Sequence, residues 1–164
     1  MTIGRISVER VHIESSKSFE DVLKGLYGGI GRPNMSVLRE QMDKAPTFEE
    51  FQRVVKAAVG PADLMEFLRL DLGGAMRKDP DAEAFKVVRI IAGNPLIMKQ
   101  MVEHIPDAGS YAPVTILVYE REGKVHLCYD TMESLLASYG RGPALAVAKG
   151  LDAKVIKLLA DAAG

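Results

Sequence analysis

His126, Cys128 and Asp130 stand at alternate positions near the end of an apolar-rich stretch, residues 114–130. Alternate residues of a strand project to the same side, so an imidazole, a thiol and a carboxylate would share one surface. Such a donor set could hold a metal ion or form a redox site. The simpler reading has Val125, Leu127 and Tyr129 facing the core and the other three facing solvent or a partner. A second set, Asp71, Asn94 and Tyr129, is expected to rim an apolar pocket between sheet and helices, where a small molecule would bind. Asp71 or Asp130 could act as a general base if burial raised its carboxyl pKa.

Other chemistry is sparse. His12 and His104 stand alone in the sequence, and His104 near a helix C-terminus would interact with the helix dipole. No Ser-His-Asp grouping and no nucleophile-elbow motif is present. Gly28-Gly29-Ile30-Gly31-Arg32 and Gly73-Gly74-Ala75-Met76-Arg77-Lys78 each set backbone amides near basic side chains, as an anion site would. Neither fits a P-loop or a dinucleotide fingerprint, and a helix stop and a strand end account for both. Eight methionines could line an adaptable pocket, with core filling the commoner use.

The elements that must position these residues are legible from periodicity and punctuation. Ile6, Val8, Val11 and Ile13 suggest a first strand over 5–14, with a bulge near Glu9-Arg10 restoring their phase. Ser18 and Asp21 open a helix over 18–30, and Asn34 could cap a short one through Met42. Thr47 and Glu50 form a capping box for a helix over 47–59. Residues 64–72 read as a strand ended by Gly73-Gly74, and 85–92 as a Val/Ile-rich strand. Asn94 and Pro95 then suit the N-cap and first position of a helix over 95–105. As a cap, Asn94 should contribute about 1 kcal/mol, although a helix N-terminus beside a strand end is also a natural anion site. The run 114–119, the turn Glu122-Gly123 and the run 124–129 make the strongest hairpin signal. Asp130 or Thr131 would cap a helix through Tyr139. A C-terminal helical tail over 143–163, in two pieces around Gly150, completes a single domain spanning 1–164.

Composition narrows the classes. The net charge is −1, which argues against a nucleic-acid partner. One cysteine excludes an intrachain disulfide framework and an all-cysteine metal site. No apolar run approaches the ~20 residues of a membrane span. The N-terminus does not read as a secretory signal, so a cytoplasmic location is expected.

Taken in order, Ile91-Ala92-Gly93-Asn94-Pro95-Leu96-Ile97, Pro106-Asp107-Ala108-Gly109 with Pro113, Ile116-Leu117-Val118-Tyr119-Glu120, Gly123-Lys124 and Tyr129-Asp130 resemble the bacterial and archaeal family called domain of unknown function 302. Ser18-Phe19-Glu20 and Leu70-Asp71-Leu72-Gly73 are similar too, and the likeness covers about residues 5–138. The resemblance implies a two-layer fold of the TATA-binding-protein type, often seen as a homodimer, and implies no particular chemistry. Members often carry Asp-His-Gly where this chain has Asp71-Leu72-Gly73, so a role resting on that histidine is absent here.

The expected protein is therefore α+β, with an antiparallel-rich sheet and helices mainly on one face. An uncovered sheet face would favour a homodimer. The leading functional expectation is a small-molecule binding or sensing module. A structural or interaction protein, or a small-molecule enzyme using a buried carboxylate, are the alternatives. No cofactor is expected.

Overall fold

A computed structural model describes residues 3–164. In chain order the elements are β1 (Arg10–Ser15), α1 (Phe19–Gly29), α2 (Met35–Lys44), α3 (Phe48–Ala58), β2 (Met65–Asp71), α4 (Gly73–Met76), β3 (Val87–Gly93) and α5 (Pro95–Val102). A 3-10 turn at Pro106–Ser110 leads to β4 (Val114–Arg121), β5 (Lys124–Asp130), α6 (Met132–Leu136) and α7 (Gly142–Ala163). The strands form one sheet in the order β1-β5-β4-β3-β2, with every neighbour antiparallel. This is the α+β architecture that the sequence implies.

Alternation decides which face is buried. Val88, Ile90 and Ala92 of β3, Val114, Ile116 and Val118 of β4, and Val125, Leu127 and Tyr129 of β5 all lie in the main core. Helices α1, α5, α6 and α7 contribute Leu26, Met101, Leu136 and Leu159 to that same core. A fully buried leucine such as Leu127 contributes about 2 kcal/mol through the water it sheds. The opposite face carries Arg10, His12, Arg89, Leu117 and Cys128, all exposed or half-buried. A smaller cluster of Leu38, Val55 and Met65 ties α2 and α3 to the start of β2.

Local chemistry sets the boundaries. The side chains of Ser18, Asn34 and Thr47 accept from first-turn amides of α1, α2 and α3, as their sequence positions predict. Glu122 and Gly123 both take positive φ, 52° and 75°, the backbone of a two-residue hairpin whose twist matches its strands. Gly31 and Gly60 meet backbone to backbone where α1 and α3 end. A Cβ on Gly31 would lie 1.9 Å from the Ala58 carbonyl oxygen, and one on Gly60 would lie 2.5 Å from the Gly31 nitrogen. Gly31 is therefore required by close approach, and an anion site is not needed to explain it.

Three expectations are corrected. The first strand begins at Arg10 and carries no bulge; Ile6 and Val8 remain 43% and 42% exposed. The register irregularity lies instead in β2, between Glu66 and Leu68. Gly73-Gly74 opens a short helix, and Arg77 beyond it pairs with Asp71. The C-terminal tail is one unbroken helix through Gly150, because its buried stripe from Ala144 to Ala163 outweighs the ~1 kcal/mol helix cost of one glycine.

Candidate functional site

Where β3 ends and α5 begins, the helix does not close fully on the sheet. A cavity of about 380 Å³ remains, lined by Phe67, Gly93, Asn94, Pro95, Ile97, Met98, Met101, Val102, Gly109, Ala112, Pro113, Val114 and Leu151. Gly93 keeps this end narrow, since a Cβ there would lie 3.1 Å from Pro113 Cβ and 3.4 Å from Phe67. Asn94 is the lining residue with a polar side chain, and its polar atoms are committed elsewhere. Its Oδ1 accepts from the Leu96 amide at 2.9 Å. Its Nδ2 donates to the Asp63 carbonyl at 3.1 Å and to Asp63 Oδ1 at 3.0 Å. Asp63 itself takes φ 60° and pairs with Lys154 of α7. The cap is thus one end of a network joining β3, α5, the 60–64 turn and α7. Asn94→Ala should consequently cost about 2 kcal/mol, the upper end for a cap, because the part-buried bonds to Asp63 are lost with it. Chemical denaturation measures this; a loss under about 0.5 kcal/mol, well below an ordinary cap, would contradict it.

On the open face of the sheet, β1 and β5 bring three further side chains together. His126 stacks between His12 and Tyr119, with ring centroids 5.1 Å and 4.9 Å away. These rings explain how His126 is only 7% exposed on a face that no helix covers. His126 Nδ1 lies 3.2 Å from His12 Nε2 and 3.9 Å from Glu14 Oε1. On its other side, His126 Nε2 donates to the Arg121 carbonyl at 3.3 Å. Lys124 holds Glu14 from the outside at 2.7 Å, and its hydrogen bond and charge keep the Glu14 carboxyl below its ordinary range.

Inside the core, Tyr129 is 2% exposed. Its hydroxyl donates to Asp152 Oδ1 at 2.5 Å, and Asp152 also accepts from the Met132 and Glu133 amides at 2.8 Å and 2.9 Å. Asp152 on α7 therefore caps α6, while Thr131 at the cap position uses no side-chain bond. Burial first, then the Asp152 hydrogen bond, pushes the Tyr129 phenol well above its ordinary value, so Tyr129 stays protonated.

The six residues singled out from sequence fall in different places. Asn94 lines the cavity, Tyr129 is locked to Asp152 in the core, and Asp71 is exposed and paired with Arg77. The fold does not gather these three around one space. His126, Cys128 and Asp130 do share the open face, but their donors do not converge. Arg10 takes both oxygens of Asp130, at 2.6 Å and 2.9 Å, and burial pushes the Cys128 thiol up. Residues two apart on a strand are about 6.6 Å apart, whereas cross-strand neighbours approach within about 5 Å. His126 accordingly meets Glu14 and His12 of β1. That association depends on pairing strands more than a hundred residues apart, and no local pattern signals it. Asp71 and Asp130 both have lowered carboxyl pKa values, from Arg77 and Arg10 respectively, opposite to what a general base would need.

An antiparallel sheet of order β1-β5-β4-β3-β2 with helices on one face makes this an α+β protein. The sequence profile of the family described as domain of unknown function DUF302 matches residues 40–162, and the chain belongs to that family. The fold is similar to the crystal structure of an uncharacterized conserved protein DUF302 from Bacillus stearothermophilus, with a TM-score of 0.64 at 10% identity. That likeness covers 93% of this chain and 97% of the other. No curated protein matches the sequence. Among the described residues, no helix is long and apolar enough to cross a membrane.

Proposed function

We propose that the protein is a small-molecule binding module whose site is the apolar cavity between the end of β3, α5 and residues 109–114. The observation that carries this reading is the cavity itself, of about 380 Å³ and lined almost wholly by apolar side chains. Its size sits toward the lower end of ligand pockets, about 300–1,000 Å³, and fits a small ring system or a short acyl chain. Met98 and Met101 give the wall adaptable surface. Because Asn94 has no free donor, selection would rest on shape and apolar contact. Native mass spectrometry of the protein as purified tests this directly. The expected result is a non-covalent small-molecule adduct, absent from a Met98→Trp variant whose indole fills the cavity. Equal adducts on both proteins, or none on either, would count against the site.

The same reading has the module act as a homodimer in the cytoplasm. Leu68 of β2, Leu72 just beyond it and Phe85 before β3 are 50%, 45% and 38% exposed, and exposed large apolar side chains at a sheet edge favour self-association. Sedimentation velocity should give a dimer that Leu68→Glu converts to a monomer; a wild-type monomer at high concentration would refute it. A dimer with no adduct would favour the interaction-protein reading, for which those exposed side chains are the supporting observation.

A further inference from the structure

We propose that the open face of the sheet carries a transition-metal site made by His12 Nε2, His126 Nδ1 and Glu14 Oε1, suited to Zn²⁺. The three donors lie within 4.8 Å of one another. Ligands of a tetrahedral Zn²⁺, bound at about 2.0–2.1 Å, sit about 3.3 Å from each other. The 3.2 Å between the two histidine nitrogens matches one edge of that tetrahedron. Glu14 Oε1, 3.9 Å from His126 Nδ1 in a group that spans up to 4.8 Å, must swing inward to complete a face.

The tautomer of His126 supports the assignment. A backbone carbonyl only accepts, so the Nε2 facing Arg121 must carry the proton. In the neutral ring, Nδ1 then presents its lone pair to His12. Fixing one ring nitrogen on a carbonyl while the other faces the ion is how proteins commonly orient a metal-binding histidine. The stacked Tyr119 ring and the low exposure of His126 hold that ring in place before any ion arrives. Lys124 is the nearby cation, and it engages the other oxygen of Glu14, leaving Oε1 for the metal. Three protein donors leave a fourth position open to water or an exogenous ligand. This site is separate from the apolar cavity and does not depend on it.

Isothermal titration of the chelator-treated full chain with ZnCl₂ tests the assignment. One saturable ion per chain is expected. His12→Ala, which removes an exposed side chain, should weaken binding by about 100-fold, at least the loss seen when an outer partner of a metal ligand is removed. Glu14→Gln should weaken it less, while Cys128→Ser and Asp130→Asn should bind as wild type does. The thermal melt of metal-free His12→Ala should match metal-free wild type, separating lost binding from lost folding. Co²⁺-loaded protein should show ligand-field bands of a four-coordinate site without thiolate-to-metal charge transfer. A wild type that takes up no stoichiometric ion, a His12→Ala variant that binds normally, or a thiolate band would each overturn the proposal.

Discussion

Asp152→Ala is expected to destabilise the protein by about 4 kcal/mol, a larger effect than any surface substitution should have. The carboxylate receives the Tyr129 hydroxyl and the Met132 and Glu133 amides, so its removal orphans three donors at one stroke. Hydrogen bonds to a charged acceptor contribute about 1.5–3 kcal/mol each, and partial rehydration of the Glu133 amide recovers some of the loss. For a chain of this size the melting temperature should fall by roughly 8–16 °C. Tyr129→Phe is the useful contrast. It removes one donor, leaves both amide contacts, and should cost about 2 kcal/mol. Combining the two changes should cost less than their sum, because they share a bond. If Asp152→Ala melts within about 2 °C of wild type, a shift worth under 1 kcal/mol, Asp152 does not join α6, α7 and β5 as described.

Gly31→Ala should rank next, at about 3 kcal/mol, the upper part of the usual range for overpacking. The added methyl would lie 1.9 Å from the Ala58 carbonyl oxygen, and neither partner is a movable side chain. Relief requires the ends of α1 and α3 to separate. That would strain the Gly31 amide bond to Leu64 and the Glu66 amide bond to Gly31, which bring this turn beside β2. Gly150→Ala offers a control within a helix. Its Cβ meets open space, and the substitution should stabilise by up to about 1 kcal/mol. Denaturant unfolding of the two variants in parallel measures both effects; a Gly31→Ala protein as stable as wild type would contradict the close approach.

How much of this was legible in the sequence follows the range of the interaction involved. Ser18, Asn34, Thr47 and Asn94 could be recognised as caps because each bonds an amide two or three residues away. The β4–β5 hairpin was legible for the same reason. The start of β1 was not. Ile6 and Val8 alternate as a strand would, but β5 ends at Asp130 opposite Arg10, so no neighbouring strand extends to meet them. Gly150 looked like a break because its helix propensity is local, whereas the stripe of α7 that overrides it is satisfied by distant β-strands and helices. The histidine cluster and the Asp152 cap lie beyond sequence reading altogether. His12 reaches His126 across 114 positions, and Asp152 reaches Met132 across 20, through folded geometry that neither neighbourhood encodes.

The cavity at the end of β3 is proposed to accept a small apolar molecule. Methyl-labelled methionine NMR tests it most directly, since Met98 and Met101 line the cavity while Met35, Met42, Met76 and Met132 lie elsewhere. Titration with indole, a compact apolar probe, should shift the Met98 and Met101 methyl signals saturably and leave those of Met35, Met42, Met76 and Met132 in place. Met98→Trp should abolish the Met101 response. No saturable shift at Met98 and Met101, or equal shifts at these two and at Met35, Met42, Met76 and Met132, would rule the cavity out as a binding site.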